Sequence, residues 1–119
     1  MSTISLTSPV SRHLDVTDAA HSIAFYRDVL GFDVSRNASP EHVAELTLGP
    51  ARITLGRVAR PTDGGERNIV FFGVADVDAT HDLLRARGAA PSAPENVNWI
   101  KLRMFEVRDP DGNTLWFGL

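Results

Sequence analysis

The sequence has no cysteine, which excludes disulfides, thiolate metal ligands and thiol nucleophiles. It also lacks a strong excess of one charge. Its 12 Lys and Arg are interspersed with 15 Asp and Glu, for a formal net charge of −3, so no basic face forms to neutralise phosphates. Nucleic acid is not an expected partner. Long apolar runs are missing too: none approaches the ~20 residues that a bilayer span needs. The start, Met1-Ser2-Thr3-Ile4-Ser5-Leu6, lacks the charged and apolar regions of a secretory signal. A cytoplasmic protein with no membrane partner is the expectation. With 119 residues, 43% of them hydrophobic, the chain can bury one sizeable core and is too short for two ordinary domains, so residues 1–119 read as a single domain.

What the sequence does have is well-placed punctuation. Asp109-Pro110-Asp111-Gly112-Asn113 is a tight turn: Asp opens it, Pro presets φ, and Gly allows a positive φ before the strand Thr114-Leu115-Trp116-Phe117. Upstream, the residues from Asp18 to Phe32 form a short helix that stops at Gly31 and passes into a strand. The two halves repeat faintly. Ser11–Val16 leads through Thr17-Asp18 to a helix closing at Gly31, and Ile69–Val74 leads through Ala75-Asp76 to a helix closing at Gly88. Each Asp can cap its helix, and each Gly suits a left-handed stop. Ile23, Tyr26 and Leu30 in the first helix, and Val77, Leu83 and Leu84 in the second, form the expected buried stripes.

Three further strands are expected after each helix: Gly31–Arg36, His42–Leu48 and Arg52–Arg57, then a short piece near Ala90, Lys101–Arg108 and Thr114–Leu119. The loop Ala59–Gly65 looks like a linker. The pattern is βαβββ twice, over modules of about residues 8–58 and 66–119, and predicts an α+β fold with helices on one face of mainly antiparallel sheet. With the Asp-Pro-Asp-Gly-Asn turn and the Gly31 helix, it resembles the vicinal-oxygen-chelate superfamily of glyoxalases, extradiol dioxygenases, fosfomycin-resistance thiol transferases and bleomycin-resistance proteins. The resemblance runs from about Val10 to Leu119. It implies two modules whose sheets curl around a shared pocket.

In the metalloenzymes of that superfamily a divalent ion is held by His, Glu or Gln side chains from equivalent strands of both modules, and such ions need several N or O donors. The resemblance places four ligand positions in this sequence. The first, seven residues before the capping Asp, is Ser11, whose hydroxyl is a poor ligand. Glu45, in Ala44-Glu45-Leu46-Thr47-Leu48-Gly49, matches the family's Glu. The third position is Ile69 and the fourth is Trp116, neither of which can coordinate an ion. His13 shares the face of Ser11 through strand alternation. A two-residue shift, however, moves a side chain ~6.6 Å along the strand, and the second module offers no third donor nearby. The expectation is no metal and no other cofactor.

By alternation the pocket face carries Ser11, His13, Asp15, Glu45, Ile69, Phe71 and Trp116, with Trp99 reaching in from the loop before the long second-module strand. From these, His13, Glu45, Phe71, Trp99 and Trp116 are the expected ligand-binding residues: aromatic area supplies affinity and a few polar groups fix orientation. Trp116 could instead pack in the core or at a dimer interface. Of the neighbours Phe71 and Phe72, one must be core. Glu45, among apolar neighbours, needs a partner, for which Arg103 is the candidate. His21, His42 and His81 fall on solvent-facing positions.

The resemblance to metal-free bleomycin-resistance proteins implies sequestration of a small aromatic or cationic molecule, an antibiotic-resistance-like role. The alternative is an enzyme. It could work by metal-free acid/base chemistry through His13 or Glu45, or as a metal-dependent lyase, isomerase or dioxygenase. A third class is an interaction module whose pocket is filled by its own side chains. Relatives of this length commonly pair so that modules of different chains complete each pocket, which makes a homodimer the expected assembly.

Overall fold

A computed structural model describes residues 4–34, 43–57 and 69–119. The predicted linker Ala59–Gly65 and His42 lie outside the described residues.

The first module runs β1 (Val10–Val16), α1 (Ala19–Ala24) continued by a π-helical stretch (Phe25–Leu30), β2 (Asp33–Val34), β3 (Val43–Leu48) and β4 (Ala51–Arg57). The second runs β5 (Ile69–Gly73), α2 (Val77–Ala86), β6 (Glu95–Val97), a 3₁₀ turn (Asn98–Ile100), β7 (Leu102–Arg108) and β8 (Thr114–Gly118). Both predicted helix starts are capped as expected: Asp18 accepts from the His21 N–H and Asp76 from the Ala79 N–H, each at 3.0 Å. Gly31 and Gly88 end them with φ of 86° and 93°. The first helix widens where Gly31 N–H bonds back to the Tyr26 carbonyl, a π-type closure that leaves both Tyr26 and Leu30 buried. The short strand expected near Ala90 lies instead at Glu95–Val97, where it pairs with β7. Pro91 and Pro94 lie between the two places, and proline cannot donate to a ladder.

Each module is a four-stranded sheet, in the orders β1-β4-β3-β2 and β5-β8-β7-β6. One pair in each is parallel, β1 with β4 and β5 with β8, and the others are antiparallel. α1 packs on β3 and β4, and α2 on β7 and β8, so one face of each sheet is covered and the other is left open. Alternation sorts the side chains. Leu14, Val16, Leu46, Ile53 and Leu55 from the first sheet, and Val70, Phe72, Phe105, Leu115 and Phe117 from the second, are buried in one cluster beneath the helices.

The modules meet edge to edge. Residues ahead of β1 run antiparallel to β5, with Thr7 N–H donating to the Gly73 carbonyl at 2.9 Å and Ala75 N–H to the Ser5 carbonyl at 3.1 Å. Further along, the Arg12 guanidinium reaches the Ile69 carbonyl at 2.8 Å. The Asp-Pro-Asp-Gly-Asn turn is more than punctuation. Its Asp111 accepts from Thr17 N–H, the Thr17 hydroxyl and the buried Ser22 hydroxyl, and its Asp109 accepts from the Tyr26 hydroxyl at 2.9 Å. Burial and the Asp109 carboxylate push the Tyr26 pKa well above its ordinary value, because both disfavour the phenolate.

Candidate functional site

Because the segment leading into β1 runs antiparallel to β5, and Leu14, Val16, Val70 and Phe72 lie in the core, the alternate residues of β1 and β5 share the open face. Sheet register then sets up two matching rows. In the first module His13 pairs with Thr54 and Thr54 with Glu45. In the second Phe71 pairs with Trp116 and Trp116 with Glu106. The repeat therefore relates His13 to Phe71, Thr54 to Trp116 and Glu45 to Glu106. One row is polar throughout; the other is aromatic with a carboxylate at its end.

The two first-strand rings are seated alike. A Cβ added to Gly56 would stand 2.7 Å from both Cε1 and Nε2 of His13, and a Cβ added to Gly118 would stand 3.1 Å from Cε2 of Phe71. Each ring thus lies against a glycine on the last strand of its module; a Cβ at Gly56 would force the His13 ring to move, whereas one at Gly118 would be crowded as much by the Arg103 carbonyl and Met104 Cβ, at 3.1 and 3.2 Å. His13 also has Asp15 Oδ1 3.4 Å from Nε2, and its side chain is 60% exposed. Phe71 is 39% exposed, whereas Phe72 is fully buried and stacks on Phe117 at 5.1 Å. Trp116 is half-buried, and its indole N–H donates to Glu106 Oε1 at 3.3 Å. Nothing in the local sequence around Glu106 marks it: the contact depends on the β7–β8 register, which nine intervening residues and a turn set.

Two expectations need correction. Glu45 does not pair with Arg103; its side chain is 47% exposed and lies 3.5 Å from Arg52 on the neighbouring strand. Arg103 points to the other face, where it bonds Asp78 at 2.7 and 3.0 Å and Asn96 at 3.1 Å and holds the Asp78 carboxyl below its usual range. His81 does not face solvent. It follows Val77 by four residues and precedes Leu84 by three, so it falls on the buried stripe of α2, and its ring meets Phe105 edge-on at 5.4 Å. His21 is exposed as expected. Trp99 stands in the 3₁₀ turn between β6 and β7 and is 85% exposed in the single chain.

The donor set does not fit a divalent ion. Among the described residues no three His, Asp or Glu side chains converge. In the first row His13 and Glu45 flank Thr54, which occupies the place that Trp116 holds in the second module. A carboxylate already beside Arg52 and a single imidazole fall short of the several donors needed. In the first module a cleft of about 370 Å³ opens beside Ser11 and Arg52, bounded by Pro9, Val10 and Pro50.

Residues 11–117 match the Glyoxalase/Bleomycin resistance protein/Dioxygenase superfamily. The chain belongs to this superfamily. Solved structures of the glyoxalase type share its fold. An integron cassette protein from the mobile metagenome of a Halifax Harbour sewage outfall superposes with a TM-score of 0.81 at 19% identity, covering 95% of this chain and 98% of that one. The bleomycin-binding protein of Streptomyces verticillus, solved with copper(II)-bleomycin, gives 0.73 at 22% identity over 93% and 94%. Lactoylglutathione lyase from Agrobacterium tumefaciens gives 0.74 at 17% identity over 94% and 92%. At these identities the likeness is one of glyoxalase-type fold, and it covers a binding protein and a lyase alike. No curated protein matches the chain.

Proposed function

We propose that the chain binds a small planar aromatic molecule without a metal, on the open face of its sheets, in a drug- or metabolite-sequestering role. The observation that carries this reading is the Phe71–Trp116 pair: two large rings in register on the face away from the core, in a row where the first module has His13 and Thr54. An apolar wall with sparse polar groups suits such a ligand. The bleomycin-binding neighbour offers a parallel for small-molecule binding on this fold. Selection for cations has less support, because the Arg52 guanidinium beside Glu45 offsets its charge.

The same reading includes a homodimer. The open face, the thin edge strands β2 and β6, and the exposed Trp99, Ile100 and Leu119 are surfaces that a second copy would cover. A second functional reading, metal-free acid/base chemistry, draws on a different observation: His13 is seated on Gly56 with Asp15 beside its Nε2, an arrangement that would orient a base.

The test combines elemental analysis with binding. Protein stripped by a chelator should bind a planar probe such as acridine saturably and as tightly as untreated protein, and should carry no stoichiometric Fe, Mn, Ni, Co or Zn. About one tightly held ion per chain, with binding abolished by chelation, would overturn the reading. Conversion of a bound compound by stripped protein, lost in His13→Ala, would favour the acid/base alternative.

A further inference from the structure

Phe71 and Trp116 are register partners on adjacent strands, but their rings are seated against different neighbours. They turn different ways. The phenyl ring lies along the sheet onto Gly118, and the indole is drawn across to β7, where its N–H meets Glu106. Glu106 is itself well anchored. Its backbone N–H donates to the Ser92 hydroxyl at 2.8 Å, its carbonyl accepts from the Ser92 N–H at 2.9 Å, and its second carboxylate oxygen lies 3.8 Å from Arg108 Nε.

We propose that Glu106 is a positioning residue: it holds the indole of Trp116 turned away from Phe71, so that the two rings border a wedge that accepts one flat ring system. The proposal rests on the reading of the open face as an aromatic-binding site. Its physical basis is competition for the indole. Neighbouring aromatic side chains gain energy from edge-to-face or offset contact, and an indole free to rotate would close onto Phe71. The N–H bond to a carboxylate opposes that collapse because a half-buried donor without an acceptor is costly. Fixing the ring beforehand removes an ordering cost from ligand binding. The ligand class follows from the shape: fused and fully conjugated rings should fit, and puckered rings of the same outline should not.

The experiment uses the full chain in a Trp99→Phe background, so that Trp116 supplies the only indole signal. Its ¹H–¹⁵N indole resonance is compared in the parent, Glu106→Gln and Glu106→Leu, together with binding of acridine and of its octahydro analogue. Gln keeps an acceptor and should leave the resonance close to that of the parent. Leu should move it to the position of an indole without a carboxylate partner and weaken acridine about tenfold. The parent should prefer acridine to octahydroacridine, and Leu should lose that preference while Gln recovers most of it. An indole resonance unchanged in Glu106→Leu, or acridine bound as tightly as by the parent, overturns the proposal. Failure of the parent to bind any planar probe would instead defeat the underlying reading, while the indole resonance still decides whether Glu106 holds the ring.

Discussion

The imidazole of His13 lies against Gly56, two of its ring atoms only 2.7 Å from where a Cβ would stand. Gly56→Ala should therefore displace the ring from its place beside Asp15. The obstructing atoms belong to the end of a half-exposed side chain, and Gly56 does not need a positive φ, so the fold should persist with a change in stability within ~1 kcal/mol. Imidazole NMR resonances of His13 check this. Resonances matching the parent would mean that the ring is not seated there.

The tie between Tyr26 and the second-module turn should be measurable in stability. Tyr26→Phe removes the hydroxyl that donates to the buried Asp109 and leaves Asn113 as the remaining donor to Oδ2. A loss of about 1–3 kcal/mol is expected in chemical denaturation. The pH dependence has a definite sign. The folded-state pKa of Tyr26 is raised, so above about pH 10 the unfolded chain gives up a proton that the folded chain retains, and stability falls as pH rises from there toward the folded value. This alkaline loss should shrink in Tyr26→Phe. An equal alkaline loss in both proteins would contradict the assignment.

Much of the fold was legible because its signals are local. A capping Asp three residues ahead of the N–H it accepts, a glycine stop and the alternation of Phe71 and Phe72 each act within a few residues. The site was legible only by face. Ser11, His13, Glu45, Phe71 and Trp116 do share the open side, but which of them are neighbours depends on strand register. Register puts Thr54 between His13 and Glu45, gives Glu45 to Arg52 rather than Arg103, and brings Glu106 to Trp116. The inter-module role of Asp111 was equally hidden, since its partners Thr17 and Ser22 lie in the other half of the sequence. The chemistry of the turn motif indicates a turn and is silent on what the turn docks against.

Assembly can be tested separately. A homodimer is expected at micromolar concentration, with Trp99 less accessible to a soluble quencher than its 85% exposure in the single chain implies. Light scattering gives the mass, and acrylamide quenching in a Trp116→Phe background reports on Trp99. A monomer with Trp99 fully quenched would count against pairing through this face and would require each site to be built within one chain.

The most direct test of the central claim is a titration of intrinsic fluorescence in the Trp99→Phe protein, where Trp116 is the only indole. The panel should include polycyclic aromatics, quinones and cationic glycopeptides. At least one planar compound should change the emission saturably, with a dissociation constant below ~100 μM, and Trp116→Ala should weaken it by about 1–3 kcal/mol, measured by calorimetry because that variant lacks both indoles. If no compound binds below ~100 μM, or if a folded Trp116→Ala protein binds as tightly as its parent, sequestration on this aromatic face is contradicted.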